Sequence, residues 1–352
     1  MAVIKSNGYS IFTGKDTFKF LNAFLAKNSY SSYFILCDEN TLQHCLPLLI
    51  TSCPKLAPAE IIEIEAGETS KSLEFSANIW QTLIENNADR NSLLINLGGG
   101  VVSDLGGFTA SVYKRGIDFI NVPTSLLAMA DASVGGKNGI DFLNLKNVIG
   151  TFAQPKAVFV YTDFLDTLSE RHFQNGLAEI YKIALISDKK FWQQLKVGLD
   201  PQTLCNKSID LKNKLVLKDP FDRGIRNILN FGHTIGHALE ALLLGSKNEL
   251  LHGEAIIIGM MLESHIAFQK KLLGKTEFTE LVSLFREHFT MLPIHDLTLQ
   301  SILTHIKNDK KSLKNKFRFA LIDKIGSCKI NVEVTEAQIK KSFEYYIKLS
   351  RK

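Results

Sequence analysis

The chain has 352 residues, of which 45% are hydrophobic and 22% are charged, a balance typical of a folded globular protein with enough core for two domains. This composition excludes a disordered chain, a collagen-like chain and a small disulfide-stapled scaffold. Lys and Arg number 41 against 36 Asp and Glu, a formal net charge of +5, which is too small an excess to indicate nucleic-acid binding.

The first residues carry no recognisable targeting segment. MAVIKSNGYSIF lacks the apolar run of about 7–15 residues of a secretory signal, and no stretch reaches the roughly 18 apolar residues of a membrane span. The five cysteines form no CxxC pair, so neither a disulfide framework nor a cysteine zinc site is indicated. We expect a cytoplasmic protein with reduced thiols and with neither membrane nor nucleic-acid partners.

Residues 1–163 alternate strand-like and helix-like segments. β-rich runs cover residues 33–37, 60–65, 92–97 and 117–122, and amphipathic stretches cover residues 16–28, 41–50 and 72–87. This alternation predicts right-handed βαβ units and a mostly parallel sheet in an α/β fold. Ligands of such sheets bind beyond the carboxyl ends of the strands.

Residues 164–352 have a different pattern. Helical stretches cover residues 169–187, 201–217, 227–244, 253–271 and 277–289, and strand signals return only in FRFALI and KINVEV. This part has 29 basic and 21 acidic residues, a net +8, whereas residues 1–163 have 12 and 15, a net −3. We predict a mainly helical second domain, with the ligand site between the two domains.

Glycine is concentrated where one predicted strand ends. Nine of the 23 glycines lie in residues 98–139, and SLLINLGGG runs from a strand to the point where a helix should begin. A backbone without Cβ can approach a pyrophosphate there, while helix amides face its charge. A tight turn with close packing explains the same glycines. Asp38 and Glu68 follow two other strands, where carboxylates can accept ribose hydroxyls.

Lysines follow the strand that ends near Val122. Asp131 and Lys137 lie in DASVGGKN, and Lys146 and Asn147 come shortly after. Lysines among small residues can meet an anionic group without steric obstruction. A solvated loop has the same composition, so both interpretations stay open.

RNILNFGHTIGHALE carries polar side chains at helical spacing. At 100° per residue, Arg226, Asn230, His233 and His237 lie within about 60° of one another. A helix face exposed to water normally carries charged side chains, but residues 227–239 include none. We therefore predict that this stripe lines a cleft. Two histidines on one face suggest zinc, although the HExxH pattern of metalloproteases is absent.

Two further segments offer ligands for such a zinc ion. His252 stands at the start of an apolar helix, and Glu179 and Lys182 lie three residues apart on another. The latter two are also consistent with a tolerated ion pair. Together with the histidine stripe, two histidines and one glutamate would form an open zinc site of the catalytic type.

Six segments, taken together, match those of a known family. They are GGGVVSDLGGFTASVYKRG, VPTSLLAMADASVGGKNGI, KNVIGTF, LAEIYKIALI, GIRNILNFGHTIGHALE and LHGEAIIIGM, and in order and spacing they resemble the motifs of 3-dehydroquinate synthases, which belong to the sugar phosphate cyclases. The resemblance implies a Rossmann-like, NAD-binding domain over residues 1–163, a helical domain that binds metal and substrate over residues 164–352, and a homodimer. It also implies a phosphate-eliminating carbon–oxygen lyase of the shikimate pathway, which converts 3-deoxy-D-arabino-heptulosonate 7-phosphate to 3-dehydroquinate and phosphate.

The resemblance also implies roles for individual residues. The ligands of a zinc or cobalt ion would be Glu179, His233 and His252, with His237 contacting the substrate instead. NAD contacts would be Asp38, Asn40, Glu68, Lys71, Gly99, Gly100, Val101, Asp104, Thr124, Ser125, Lys137, Lys146, Phe164, Leu165, Asp166 and Thr167. Substrate contacts would be Asp131, Lys137, Lys146, Asn147, Lys182, Lys212, Arg226, Asn230, His237 and one of Lys310 and Lys311. Arg115 would reach the phosphate pocket of the neighbouring subunit.

Other activities share this fold and these cofactors. A sister sugar phosphate cyclase would act on a different sugar phosphate, and a metal-dependent polyol dehydrogenase would not require so many phosphate and carboxylate contacts. An inactive NAD-binding sensor predicts the loss of a metal ligand or of a catalytic lysine, and all of these are present in the sequence. One departure from the family pattern is Asp222, which stands where a glutamate is usual.

Overall fold

The computed structural model describes residues 2–143, 145–294, 296–309 and 317–351. Their contacts divide the chain into two compact units. The first contains the residues up to Phe173 together with Asp200–Phe221, and the second contains Gln174–Leu199 together with the residues from Asp222 onward. Lys310 and Lys311 lie outside the described residues. Within the described part, no helix is long and apolar enough to cross a membrane.

Strands and helices alternate through the first unit and helices dominate the second. The strands of the described residues are β1 Ala2–Lys5, β2 Ser10–Thr13, β3 Tyr33–Asp38, β4 Glu60–Ile64, β5 Leu93–Gly98, β6 Asp118–Pro123, β7 Lys137–Phe142, β8 Leu145–Phe152, β9 Ala157–Val160, β10 Phe317–Lys324 and β11 Ser327–Val334. Their α-helices are α1 Thr17–Lys27, α2 Glu39–His44, α3 Leu46–Ser52, α4 Leu73–Glu85, α5 Gly100–Val112, α6 Glu170–Ser187, α7 Lys189–Leu195, α8 Pro201–Lys218, α9 His233–Leu243, α10 His252–Gln269, α11 Lys275–His288, α12 Leu299–Asp309 and α13 Glu336–Ser350.

The first unit is built on one sheet with the strand order β1-β2-β9-β6-β5-β3-β4. Every neighbouring pair is parallel except β1 with β2. β5 is buried along its whole length, as expected for a strand that helices cover on both faces. The prediction of an α/β fold with a mostly parallel sheet is therefore confirmed.

The predicted strands of residues 1–163 correspond to β3, β4, β5 and β6 within about one residue at each end. The helix predicted over residues 41–50 is wrong in one respect, because it divides into α2 and α3 at Cys45. Pro47 lies in the first turn of α3. Its ring removes a backbone donor and restricts the preceding residue, which favours a helix boundary there.

The single helix predicted over residues 227–244 is also wrong. Residues Ile225–Asn230 form a 3₁₀ helix, and α9 begins only at His233. Between them Gly232 has a φ of +81°, which breaks the helical path. The four polar residues therefore do not form one α-helical stripe, and only His233 and His237 share a face of α9.

Candidate functional site

The residues predicted to bind a nucleotide follow the carboxyl ends of parallel strands in the first unit. β3 ends at Asp38, β5 ends at Gly98 and β6 ends at Pro123. β3 and β5 are neighbours in the sheet, and the chain leaves them in opposite directions: from β3 it continues to β4 on one side of this pair, and from β5 to β6 on the other side. Such a switch point is where open α/β sheets bind ligands.

The structure separates two roles among the glycines around the start of α5. A Cβ on Gly106 or Gly107 would overlap the side chain of Asn96 or Asn138, so close packing requires glycine at both positions. Beyond its chain neighbours, a Cβ on Gly99 would lie no closer than 3.4 Å to any described atom, and one on Gly100 no closer than 3.5 Å once the nearby backbone of α5 is also left aside. Packing within the described protein therefore does not require glycine at 99 or 100.

An ion-pair network lies beside the start of α5. Buried Lys71 contacts Asp104 with an Nζ–Oδ2 distance of 2.6 Å, and Lys146 contacts Glu68 with an Nζ–Oε1 distance of 2.9 Å. Lys71 Nζ also lies 4.0 Å from Glu68 Oε1. The nearby carboxylates outweigh burial and raise the pKa of Lys71. Four of the predicted NAD contacts thus form one charged cluster.

The other predicted NAD contacts of the first unit lie at the end of a strand, in helices or just after β6. Asp38 caps α2, because its Oδ1 accepts the Thr41 amide at 2.8 Å, and Asn40 is exposed on that helix. Val101 is in the first turn of α5. The remaining residues follow β6 or lie in the 3₁₀ helix Thr162–Thr167: Thr124, Ser125, Phe164, Leu165, Asp166 and Thr167.

The predicted substrate residues of the first unit form two groups: Lys212 with Asp131, and Lys137 with Asn147 on the β7–β8 hairpin. Lys212 on α8 is buried and its Nζ contacts Asp131 at 2.8 Å from Oδ1 and 2.7 Å from the carbonyl oxygen. Lys137 is exposed at the start of β7. Asn147, with a φ of +52°, donates its amide to Asp141 Oδ1 at 2.8 Å. Asp141 was not predicted from the sequence, because nothing in the local sequence indicates that its carboxylate accepts the amide of Asn147.

In the second unit, three helices bring one carboxylate against two imidazoles. Glu179 is on α6 and buried, His233 begins α9 and His252 begins α10. Glu179 Oε1 lies 3.5 Å from His233 Nε2 and 3.4 Å from His252 Nε2. In a tetrahedral site with metal–ligand bonds of about 2.0–2.1 Å, neighbouring ligand atoms lie about 3.3–3.4 Å apart. The cluster therefore fits a divalent cation of zinc or cobalt type.

The second nitrogen of each imidazole also has a partner. His233 Nδ1 lies 3.2 Å from the Phe231 carbonyl oxygen, and His252 Nδ1 lies 3.3 Å from Glu240 Oε2. A proton held on Nδ1 by such acceptors leaves the Nε2 lone pair for a cation. Sequence reasoning missed Glu240, although its place seven residues after His233 puts it on the same side of α9.

The electrostatics of the cluster suit a cation. Burial raises the pKa of Glu179, but Lys182 and His252 more than compensate and lower it to about 2. Burial, together with Lys182, holds the pKa of His233 well below its usual value. Burial lowers the pKa of His252, but Glu240 and Glu179 raise it to about 10, because two carboxylates next to the ring favour positive charge at this position.

The remaining predicted residues of the second unit are Lys182, His237, Arg226 and Asn230. Lys182 is buried and pairs with Glu179. The ring of His237 is centred 4.9 Å from that of His233, and together with Glu240 and His252 it forms a second, overlapping set of metal-competent groups. Arg226 is buried and Asn230 is partly buried in the 3₁₀ helix that precedes α9.

Arg115 belongs neither to the ion-pair network beside α5 nor to the cluster of Glu179, His233 and His252. It lies exposed in the 3₁₀ turn Tyr113–Arg115 that follows α5, with a φ of +68°. Ser111, near the end of α5, shares a hydrogen bond of 2.8 Å with Thr151 of β8. The turn that carries Arg115 is thereby anchored next to the β7–β8 hairpin.

Comparison with known protein families gives matches over both units. Family models described as the N-terminal and C-terminal parts of 3-dehydroquinate synthase match residues 61–175 and 176–312. A 3-dehydroquinate synthase of Parabacteroides distasonis is 38% identical over 94% of this chain and 96% of its own length. One from a Sulfurovum species is 41% identical over 82% of this chain and 85% of its own length.

Solved structures with a similar fold include two that hold NAD+ and a metal ion. A 2-deoxy-scyllo-inosose synthase complexed with carbaglucose-6-phosphate, NAD+ and Co2+ has a TM-score of 0.88 and 23% identity, over 98% of this chain and 99% of that one. A 2-epi-5-epi-valiolone synthase from Streptomyces hygroscopicus with NAD+ and Zn2+ bound has a TM-score of 0.84 and 24% identity, over 99% of both chains. At these identities the likeness concerns the fold alone.

Proposed function

The chain belongs to the 3-dehydroquinate synthase family, and we propose that it converts 3-deoxy-D-arabino-heptulosonate 7-phosphate to 3-dehydroquinate and phosphate, with NAD and a zinc or cobalt ion as cofactors. Family membership supports the substrate and the reaction, and the observation that carries the cation is the spacing of 3.4–3.5 Å between Glu179 Oε1 and the Nε2 atoms of His233 and His252. When bound, NAD supplies reversible hydride transfer and the cation polarises a substrate hydroxyl.

The first unit supplies the groups for the nucleotide. The backbone at Gly99 and Gly100 offers the amides of a helix start. Packing would allow a Cβ at both positions, so the absence of one suits the close approach of a pyrophosphate instead. Asp38 and Glu68, after two parallel strands, suit ribose hydroxyls. The domain assignment of residues 1–163 to NAD and 164–352 to metal and substrate belongs to this proposal, with Lys212 on α8 as a substrate residue that packs in the first unit.

The substrate carries a phosphate and a carboxylate, and the chain has cations for both. Lys137, Asn147, Asn230 and His237 suit the phosphate, and Lys212 and Arg226 suit the carboxylate, which an arginine can bind with two parallel hydrogen bonds. These groups hold and orient the substrate and stabilise charge that develops on it. Lys182 keeps the Glu179 carboxylate ionised for its role as a ligand.

A homodimer is part of the same proposal, with Arg115 reaching the phosphate pocket of the partner. In support, the β7–β8 hairpin exposes several large apolar side chains, and exposed apolar groups of this kind often mark an interface. They are Phe142, Leu143, Leu145, Val148 and Phe152. A cytoplasmic location is also proposed, since Cys37, Cys45, Cys53 and Cys205 are buried free thiols, which suits a reducing compartment.

Phosphate release tests the proposed function. The purified full chain, supplied with NAD and Zn²⁺, should release phosphate from 3-deoxy-D-arabino-heptulosonate 7-phosphate, and a His233→Ala variant serves as the inactive control. Absence of release contradicts the proposal. Release only from a sugar phosphate without a carboxylate indicates a sister cyclase, and NADH formation from a polyol without phosphate release indicates a dehydrogenase.

A further inference from the structure

A second buried carboxylate, Glu263, lies close to the cation cluster in the second unit. It is on α10, eleven residues after His252, and is 0% exposed. Its Oε2 accepts the amide of Gly232 at 2.7 Å, and its Oε1 accepts the amide of Ile235 at 3.2 Å. These two backbone donors lie on either side of His233.

The two hydrogen bonds cap the start of α9. The first amides of a helix have no partner within it and carry partial positive charge, so a carboxylate stabilises them. A cap normally comes from the side chain immediately before the helix. That residue is Gly232, which has no side chain to offer. The cap is therefore supplied by a different helix, and it ties α9 to α10.

This tie joins the two helices that carry the two imidazoles. His233 is the first residue of α9 and His252 is the first residue of α10, so a shift of one helix along the other changes how their Nε2 atoms face Glu179. Asn175 supplies the matching tie to α6, because its Oδ1 accepts the amide of Gly253. Both ties end on backbone groups next to a histidine, where a small displacement acts directly on the side chain.

We propose that Glu263 is a positioning residue for the cation site: it holds the first turn of α9 against α10 so that His233 and His252 present their Nε2 atoms to Glu179 together. The proposal rests on the proposed function, because it assumes that this cluster binds the cation. Groups that hydrogen-bond a metal ligand directly typically change metal affinity by about 10–100-fold when they are replaced, and we expect the same range for Glu263, which holds the backbone on either side of His233.

Two substitutions at Glu263 and one control separate positioning from general stability. Glu263→Gln keeps the size of the side chain but places an NH₂ group against a backbone N–H, and Glu263→Asp keeps the charge on a shorter stem. Ser342→Ala is the control, because Ser342 Oγ donates to the carbonyl oxygen of Leu262, the residue before Glu263, at 2.6 Å in an equally buried setting.

Three measurements on the full chain test the proposal: the zinc dissociation constant by competition with a chelator, the visible absorption spectrum of the Co²⁺-loaded protein, and thermal unfolding in the presence of chelator. We expect Glu263→Gln to bind zinc about 10–100-fold more weakly and to have an altered cobalt spectrum. Glu263→Asp should be affected less, and Ser342→Ala should lose thermal stability alone.

The proposal is overturned if Glu263→Gln has the same zinc affinity and the same cobalt spectrum as the unchanged chain, even if the thermal stability of the variant is lower. Should Glu263→Gln fail to fold, the same comparison on Glu263→Asp decides, and unchanged values there overturn it. The proposed function fails separately, if the unchanged chain binds zinc but releases no phosphate from the heptulosonate phosphate. An unchanged chain that binds no zinc overturns both.

Discussion

A methyl group added at Gly232 should disturb the second unit at the point where α9 meets α10. The φ of Gly232 is +81°, and a Cβ there would lie 2.5 Å from Met260 Cγ and 3.1 Å from both Ile256 O and Met260 N. The Met260 side chain can rotate away, but the two backbone atoms cannot move without moving α10. Gly232→Ala therefore combines backbone strain with overpacking.

The two contributions can be estimated separately. A left-handed backbone costs a residue with a Cβ about 1–2 kcal/mol, and overpacking in a close-packed contact costs about 1–3 kcal/mol. Gly245, just after the end of α9, isolates the first contribution: its φ is +71°, and among the described residues nothing beyond its immediate neighbours lies within 4 Å of a Cβ built there. Gly232→Ala should therefore destabilise the protein by about 1–3 kcal/mol more than Gly245→Ala does.

Urea unfolding in the presence of chelator measures the two free energies, and zinc titration of the folded variants follows their effect on the cluster. We expect weaker zinc binding only in Gly232→Ala, because His233 is the next residue and moves with the backbone. Equal free energies of unfolding in the two variants would refute the steric argument. A destabilised Gly232→Ala that binds zinc with unchanged affinity would refute the link between this contact and the ligand geometry.

Three further predictions concern other groups of the site. His233→Ala should abolish zinc binding, whereas His237→Ala should keep zinc and lower turnover; equal loss of zinc, measured by metal analysis, would contradict the ligand assignment. Asp38→Asn should weaken NAD binding about ten-fold in calorimetric titration, since a charged acceptor is lost, with unchanged thermal unfolding because asparagine also caps a helix; unchanged NAD affinity would exclude Asp38 from the nucleotide site. Arg115→Ala and Lys182→Ala proteins, each inactive alone, should recover activity in about a quarter of the sites after mixing and exchange of subunits, and no recovery would argue against a shared site.

Local sequence pattern by itself determined the central part of the first unit. The strands β3, β5 and β6 are predictable because they are mostly apolar runs of six residues, as strands covered on both faces must be. The edge strand β4 is predictable from its isoleucines, although it also carries two exposed glutamates. β1, β2 and β9 have only four residues each, which is too short for a recognisable period. Their positions in the sheet depend on pairing partners that are distant in sequence.

The break before α9 shows where periodicity fails. The 100° rule assumes an unbroken helix, and RNILNFGHTIGHALE has the spacing of one. The tertiary structure interrupts this helix at Gly232, which has a left-handed backbone conformation. The amide of Gly232 donates a hydrogen bond to the carboxylate of Glu263 on α10. Neither the partner nor the close approach of the two helices is visible in the local sequence.

The cation cluster divides in the same way. Residue types and spacing determined that histidines and a buried glutamate are available, and spacing alone favoured His233 with His237, four residues apart on one helix. The structure instead places His233 Nε2 and His252 Nε2 at nearly equal distances from Glu179 Oε1. The family resemblance implied this set of ligands, but helical periodicity could not, because the three side chains come from three different helices and meet only through the packing of α6, α9 and α10.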